Sequence, residues 1–285
     1  MKNCKICCLY SGSKGNCTFI SAGGANILID AGKSARALCS ALEGIGVSLD
    51  EIDAIFITHE HNDHISALTT LSHKRHIPIY MLLSSAEIFR DSVDERLCGC
   101  LTLFRGKEIK AHIGGLYVRS FPTSHDSRAS VGYTMTFEGE DGKPVSIGYA
   151  TDTGCVTSEM RDRLCNCRAV ILESNHDEDI LANGPYPYEL KQRIRSRHGH
   201  LSNAECASFA SYLSENGTEH IMLAHLSEEN NLPSLAFNET FRAIGSDLFD
   251  LKIAAQDHPV WLIGKDALPP ACEKKEDSLW LHSDL

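Results

Sequence analysis

Short apolar runs alternate with polar, glycine-bearing segments along the whole chain. Near the N terminus, runs over residues 4–10, 17–22 and 25–30 are separated by glycines, a pattern that is typical of β-strands joined by tight turns. The first part of the chain is therefore predicted to form an antiparallel meander.

Strand-like and helix-like segments alternate in the rest of the chain. Ser34 and Ser202 are predicted helix caps, and Glu205 completes a capping box with Ser202. Further strands are predicted at 53–57, 79–83, 116–121, 131–137, 145–150, 169–173, 221–224, 253 and 260–263, and helices at 34–46, 63–75, up to 197, 202–216 and 232–244. This order predicts an α/β fold in which two sheets pack together with helices outside.

We expect a single domain over residues 1–267, followed by a polar C-terminal tail over residues 268–285. The 285 residues are 42% hydrophobic, which is enough for a sizeable core, and no break in the pattern divides the chain.

The formal net charge of -11 repels polyanions and acidic membranes at long range. A nucleic-acid substrate would therefore need a local basic patch or a metal centre. No apolar stretch approaches the roughly 20 residues of a membrane helix. The sequence shows no signal peptide, so we interpret its 12 cysteines as reduced thiols and expect a cytoplasmic protein.

Four polar side chains directly follow the apolar strand predicted at 53–57. They are His59, His61, Asp63 and His64. Because side chains alternate along a strand, His59 and His61 point to the same side, and the next turn adds Asp63 and His64. Imidazoles and a carboxylate are suitable ligands for zinc, manganese or iron, so the motif predicts a metal site.

Three more candidate ligands stand in the same context, just after an apolar strand. They are His125, Asp152 and His225. Strands that end at one sheet edge bring together residues that are distant in sequence. The sequence therefore predicts a metal-binding constellation at this edge.

The segment Thr58-His-Glu-His-Asn-Asp-His64, with Asp30 before it and His125, Asp152 and His225 after it, resembles the metallo-β-lactamase superfamily. The resemblance implies a four-layer αβ/βα sandwich with the metal site at one sheet edge. It also implies two divalent metal ions. One would be held by His59, His61 and His125, the other by Asp63, His64 and His225, with Asp152 bridging them and Asp30 orienting the ligands.

Two adjacent cations lower the pKa of a shared water and neutralise charge on an oxyanion, which predicts a metal-dependent hydrolase. Either Asp63 or Asp152 is expected to orient the nucleophile, and the sequence does not choose between them.

Three segments bear on the substrate. Ser11, Ser13 and Asn16 lie in a glycine-bearing loop that could contact an anion or form an ordinary turn. The stretch Lys191–Arg197, which includes Arg195 and Arg197, could attract phosphates or be a solvated helix face. His200 precedes a capped helix and could contact a phosphate oxygen or protonate the leaving oxygen.

Four segments look like the YycJ/WalJ branch of the superfamily, which is similar to its nuclease and phosphodiesterase members. They are Ser11-Gly-Ser-Lys-Gly-Asn16, Glu173-Ser-Asn-His176, Gly184-Pro-Tyr-Pro187 and Gly199-His-Leu-Ser-Asn203. The resemblance implies a 5′-to-3′ exonuclease acting on duplex DNA, with mismatch-repair proteins as partners. It also implies that His200 contacts the phosphate and that Glu173 and His176 support the active site.

Two other functions remain open from the residues. The protein could hydrolyse a small molecule, such as a cyclic phosphodiester, thioester or lactam, or it could be a non-catalytic metal-binding regulatory protein. Tyr133, Tyr186 and Tyr188 could stack on a base, although core or surface packing is the commoner role of tyrosine. The oligomeric state is also left open.

Overall fold

The computed structural model describes residues 4–89 and 95–264. The C-terminal tail predicted over 268–285, and the last residues of the predicted domain, lie outside the described residues. Within the described ranges, no helix combines the length and apolar character that crossing a bilayer requires.

The first sheet has seven strands. Three N-terminal strands form the predicted antiparallel meander, and the chain then adds parallel strands on one side. In spatial order the strands are β14 (Val260–Ile263), β1 (Lys5–Tyr10), β2 (Cys17–Ala22), β3 (Ala25–Ile29), β4 (Ala54–Phe56), β5 (Ile79–Leu82) and β6 (Leu101–Phe104).

The second sheet also has seven strands. Its first four are antiparallel neighbours and its last four are parallel neighbours. In spatial order they are β7 (Lys110–Ile113), β8 (Leu116–Pro122), β9 (Val131–Glu138), β10 (Pro144–Ala150), β11 (Ala169–Glu173), β12 (His220–Ala224) and β13 (Asp250–Ile253).

The helices connect these strands. They are α1 (Ala35–Gly44), α2 (Asn62–Ile65), α3 (Leu68–Lys74), α4 (Leu83–Ala86), α5 (Glu95–Cys100), α6 (Ser158–Leu164), α7 (Glu178–Asn183), α8 (Tyr188–Arg195), α9 (Asn203–Glu215) and α10 (Pro233–Ile244). Ser34 caps α1, and Ser202 with Glu205 forms the predicted capping box of α9.

The main core lies between the two sheets. Phe56 from the first sheet and Tyr133 from the second meet there with their ring centroids 5.7 Å apart. Leu38 of α1 packs on the outer face of the first sheet, and Phe209 of α9 packs on the outer face of the second. The layers are therefore helix, sheet, sheet, helix, which confirms the predicted αβ/βα sandwich.

Two details differ from the sequence-based prediction. The single helix expected over 63–75 is divided into α2 and α3, because the backbone N–H of Ala67 bonds to the carbonyl of Ala31 and ties the break to the loop after β3. Strands β6 and β7 and helices α4, α5 and α6 were not predicted, since they are short and their apolar periodicity is weak.

Candidate metal centre

The candidate ligands meet where strands of both sheets end. Asp152 and His225 follow β10 and β12, and Asp30 follows β3; all three have positive φ, at 55°, 56° and 62°. Left-handed backbone is unfavourable for residues other than glycine and costs about 1–3 kcal/mol each when it persists. The fold therefore carries backbone strain at the positions that turn these side chains into the edge.

The first predicted ligand set converges as expected. His59 Nε2 lies 3.0 Å from His61 Nδ1, and one ring nitrogen from each of His59, His61 and His125 lies within 4.8 Å of the others. The second nitrogen of His59 bonds to Thr58 Oγ1 at 3.0 Å, and that of His125 to the carbonyl of Gly199 at 3.2 Å. These bonds leave Nε2 of His59 and His125 as the ligand atoms.

The second predicted set lies beside the first. Asp63 Oδ2 is 3.4 Å from His64 Nε2 and 3.9 Å from His225 Nε2. The Nδ1 atom of His64 bonds to Asp30 at 2.8 Å, and that of His225 bonds to Glu173 at 3.0 Å. Both imidazoles are therefore held by buried carboxylates with Nε2 directed into the site.

Asp152 lies between the two sets. Its Oδ2 is 3.3 Å from His64 Nε2, and its Oδ1 is 3.5 Å from His225 Nε2 and 3.8 Å from His125 Nε2. Asp152 Oδ2 and His225 Nε2 are buried without a hydrogen-bond partner among the described residues. Such atoms are costly unless something binds them, so these residues fit divalent metal ions.

The electrostatics of the site also suit cations. Burial and the neighbouring imidazoles lower the pKa of His59 well below its usual range, so this ring is neutral and can ligate. Burial opposes the charged form of His64, but Asp30 and Asp152 outweigh it and raise its pKa to about 10. Burial would also raise the pKa of Asp63, but hydrogen bonds to His225 and His64 hold it well below its usual range. The carboxylate of Asp63 is therefore ionised and available to a cation.

Asp30 orients the ligands of the first sheet. It is fully buried and accepts hydrogen bonds from the backbone N–H and the hydroxyl of Thr58, at 2.8 and 2.9 Å. Thr58 in turn contacts His59, so Asp30 acts on His59 through Thr58 and on His64 directly.

Glu173 links the centre to His200. One carboxylate oxygen accepts from His200 Nδ1 at 2.7 Å and from His225 Nδ1 at 3.0 Å, and the other accepts from the backbone N–H groups of Thr153 and Leu201. Burial would raise the pKa of Glu173, but His200 and His225 outweigh it and hold the pKa below its usual range. Glu173 is therefore a carboxylate that fixes His200 with Nε2 free.

The N-terminal loop is divided between two roles. Ser11 is buried and accepts from the backbone N–H of His225 at 2.7 Å, while Asn16 is buried and contacts Asp63 and His64. Both side chains therefore hold ligands in place. Ser13 is exposed and lines a cavity beside His200, where it can meet a substrate.

The basic stretch is largely tied to the protein itself. Lys191 donates to two backbone carbonyls, Arg193 pairs with Asp126, and Arg195 donates to the carbonyl of Glu178. Arg197 is exposed and has no side-chain partner among the described residues. Arg195 and Arg197 therefore keep donors for a phosphate.

His176 is buried behind His200. Its backbone pairs with Ser202, and burial lowers the pKa of its side chain to about 4, so the ring is neutral. His176, Arg195 and His200 line a common cavity of about 420 Å³. No contact among the described residues brings His176 to a candidate ligand.

Sequence reasoning missed three residues that contact ligands. Thr58 bonds to His59, Asn175 Nδ2 donates to the carbonyl of His225 at 2.9 Å, and Asp126 Oδ1 lies 3.5 Å from His125 Nε2. Thr58 and Asp126 are next to ligands in sequence, which could have drawn attention to them. Asn175 lies inside the segment Glu173-Ser-Asn-His176, where only Glu173 and His176 were singled out.

Comparisons with known proteins identify the family of the chain. The family described as Beta-lactamase superfamily domain matches residues 25–226. The chain is 32% identical over 228 residues to exodeoxyribonuclease YycJ of Bacillus anthracis, covering 80% of this chain and 84% of that protein. It is 35% identical over 237 residues to exodeoxyribonuclease WalJ of Streptococcus pneumoniae, covering 81% and 85%.

Among solved structures, the metallo-β-lactamase fold protein YhfI from Bacillus subtilis superposes with a TM-score of 0.67. Its sequence identity is 19%, and the match covers 90% of this chain and 99% of that chain. At this identity the likeness supports the fold alone.

Proposed function

The chain belongs to the metallo-β-lactamase superfamily and is a metal-dependent hydrolase, and we propose that it is a 5′-to-3′ exonuclease that hydrolyses DNA phosphodiester bonds. One observation carries the proposal: Glu173 holds the imidazole of His200 beside Asp152. The Nδ1 atom of His200 lies 3.9 Å from Asp152 Oδ1. The two exodeoxyribonuclease relatives support DNA as the substrate.

We assign two divalent ions to the centre, one to His59, His61 and His125 and one to Asp63, His64 and His225, with Asp152 shared. Bound there, the ions would supply an activated hydroxide near neutral pH and neutralise charge on the phosphoryl oxygens. Zinc, manganese and iron(II) all accept this donor set.

The residues of the chain supply the proton that the reaction needs. Glu173 accepts a hydrogen bond from Nδ1 of His200, so Nε2 is the ring nitrogen that faces a substrate. With Nδ1–H bonded to Glu173, the imidazolium form of His200 carries a second proton on Nε2, and it donates that proton to the leaving sugar oxygen as the bond to phosphorus breaks. Asp63 or Asp152 orients the attacking nucleophile.

Substrate contacts are assigned to the exposed members of the predicted set. Ser13 and Arg195 can contact phosphate oxygens, because they line cavities beside His200 and retain donors. Arg197 is exposed three positions before His200 and is assigned a phosphate contact as well. Ser11 and Asn16 act indirectly, through His225, Asp63 and His64. The expected mismatch-repair partners and cytoplasmic location stay predictions.

The experiment combines metal analysis with hydrolysis assays. The purified protein is analysed for bound metals and incubated with 5′-labelled duplex and single-stranded DNA, before and after chelation and with zinc, manganese or iron(II) restored. We expect divalent metal, metal-dependent shortening from the 5′ end, and no comparable hydrolysis of thioesters or lactams. Hydrolysis of a cyclic phosphodiester or thioester, with DNA left intact, would replace this proposal with a small-molecule hydrolase.

A further inference from the structure

A small cavity opens beside His200, and its position relates it to the leaving group. Its volume is about 210 Å³, and His200 lines it together with Asn175 and Gly199. In the proposed reaction His200 protonates the leaving oxygen, so the group that occupies this cavity is the one that departs.

The lining of the cavity suits one nucleoside. Tyr186, Leu190 and Ile194 are half-buried and give it an aromatic and aliphatic wall, while Ser13 and Asn175 give it polar groups. Asn175 donates through Nδ2 to His225, and its Oδ1 has no partner among the described residues, so it remains an acceptor. A base-sized aromatic face with a few polar anchors is the usual composition of a nucleobase site.

The size of the cavity limits what it can hold. Its volume lies below the roughly 300–1,000 Å³ of pockets for drug-sized ligands, so its size suits a single nucleotide unit. The ion pair between Arg193 and Asp126 forms part of its wall. The cavity is therefore a candidate place for the last unit of a strand.

A larger groove adjoins this cavity and can carry the rest of the strand. It measures about 660 Å³ and is lined by the cations Lys107 and Arg128, together with His198 and Glu159. His125 and His198 line the groove, and their sequence neighbours Asp126 and Gly199 line the cavity. The two spaces therefore adjoin at these residues. The scissile phosphate would lie between them, over the metal centre.

We propose that the cavity beside His200 binds the terminal nucleoside of the DNA strand, with Tyr186 stacking on its base, and that this site restricts the enzyme to strand ends. The inference rests on the proposed function. Hydrolysis breaks the bond between phosphorus and the 3′-oxygen of the terminal unit, His200 protonates that oxygen, and the phosphate stays on the shortened strand.

The test is a double-perturbation cycle, in which the enzyme and the 5′ end of the DNA are altered separately and together. Wild type and Tyr186→Ala are assayed on duplexes whose 5′-terminal unit is normal or lacks its base. Tyr186→Phe keeps the ring, and Tyr188→Ala is the matched control, because Tyr188 is 71% exposed and does not line the cavity. Bis(p-nitrophenyl) phosphate measures the hydrolytic centre independently of a strand end.

We expect Tyr186→Ala to lower kcat/KM on normal DNA by roughly 5- to 150-fold, mainly through KM, as loss of one base–aromatic stack predicts. Removing the terminal base should cost wild type a similar factor, and the two changes together should cost no more than either alone. Tyr186→Phe, Tyr188→Ala and hydrolysis of the small phosphodiester should stay near wild type.

The outcomes separate this inference from the function on which it rests. If DNA is shortened but the two losses multiply, or Tyr186→Ala has no effect, the terminal-nucleoside site is wrong and the exonuclease proposal stands. If wild type hydrolyses the small phosphodiester but not DNA, or hydrolyses neither, the exonuclease proposal fails and this inference fails with it.

Discussion

Replacement of His200 by alanine tests the assignment of the general acid. The side chain is 21% exposed and is held by one 2.7 Å hydrogen bond from Nδ1 to Glu173. Glu173 keeps its bonds to His225 and to the backbone N–H groups of Thr153 and Leu201 when His200 is removed. We therefore expect the variant to fold and to retain its metals.

The expected loss depends on the leaving group. A positioned general acid contributes about 10²- to 10⁴-fold, which corresponds to roughly 3–5 kcal/mol of barrier. The terminal unit of DNA leaves through its 3′-oxygen as an alkoxide that needs a proton, whereas p-nitrophenolate leaves readily without one. His200→Ala should therefore lose about 10²- to 10⁴-fold in kcat on DNA and much less on bis(p-nitrophenyl) phosphate.

The assay compares both substrates and measures bound metal in the same preparations. His220→Ala is the matched control, because His220 lies at the opposite end of β12 from His225 and pairs with Asp250. Equal losses on both substrates would refute the role of general acid and leave a positioning role. Loss of metal together with activity would make His200 a ligand, a possibility raised by its grouping with Asp152, Glu173 and His225.

Three further predictions follow from the contacts. Asp30→Asn removes the acceptor that fixes His64 Nδ1, so metal affinity should fall by roughly 10- to 100-fold in a competition titration. Chelation should abolish hydrolysis and lower the melting temperature by several degrees, since a ligand present at about 100 times its Kd stabilises by roughly 2.7 kcal/mol. Burial would raise the pKa of Glu108, but ion pairs with Arg119 and Lys110 outweigh it and hold the pKa below its usual range. The resulting stabilisation is complete above the ordinary glutamate pKa and is lost as pH falls through the folded-state value. Glu108→Gln should therefore lower the melting temperature by roughly 1–3 °C at neutral pH, and this difference should shrink on acidification.

Each of these predictions has a contradicting result. Unchanged metal affinity in Asp30→Asn would mean that His64 does not depend on Asp30 for its orientation. Full activity after exhaustive chelation would remove the metal dependence itself. A Glu108→Gln difference that grows on acidification would reverse the sign argued from the ion pairs.

Much of the fold could be predicted because its signals are local in the sequence. Apolar runs and the caps Ser34 and Ser202 depend on residues a few positions apart, so they locate most strands and helices. Helices α2 and α3 were misjudged as one, because a backbone bond from Ala67 to the distant Ala31 divides them. Local periodicity carries no trace of such a contact.

The sequence by itself determined which residues gather at the centre. His59, His125, Asp152 and His225 each come just after a strand, and the carboxyl ends of strands in an αβ/βα fold meet at one edge. That inference needs only the order of polar residues and strands.

The tertiary structure alone decided how the side chains are used. Ser11 and Asn16 turn inward to His225 and His64, Glu173 joins His200 to His225, and Tyr186 comes to line the cavity beside His200. These partners are separated by tens to hundreds of residues, and their pairing depends on how both sheets pack. Side-chain direction and the choice of ring nitrogen arise from that packing, and a linear pattern of residues does not encode them.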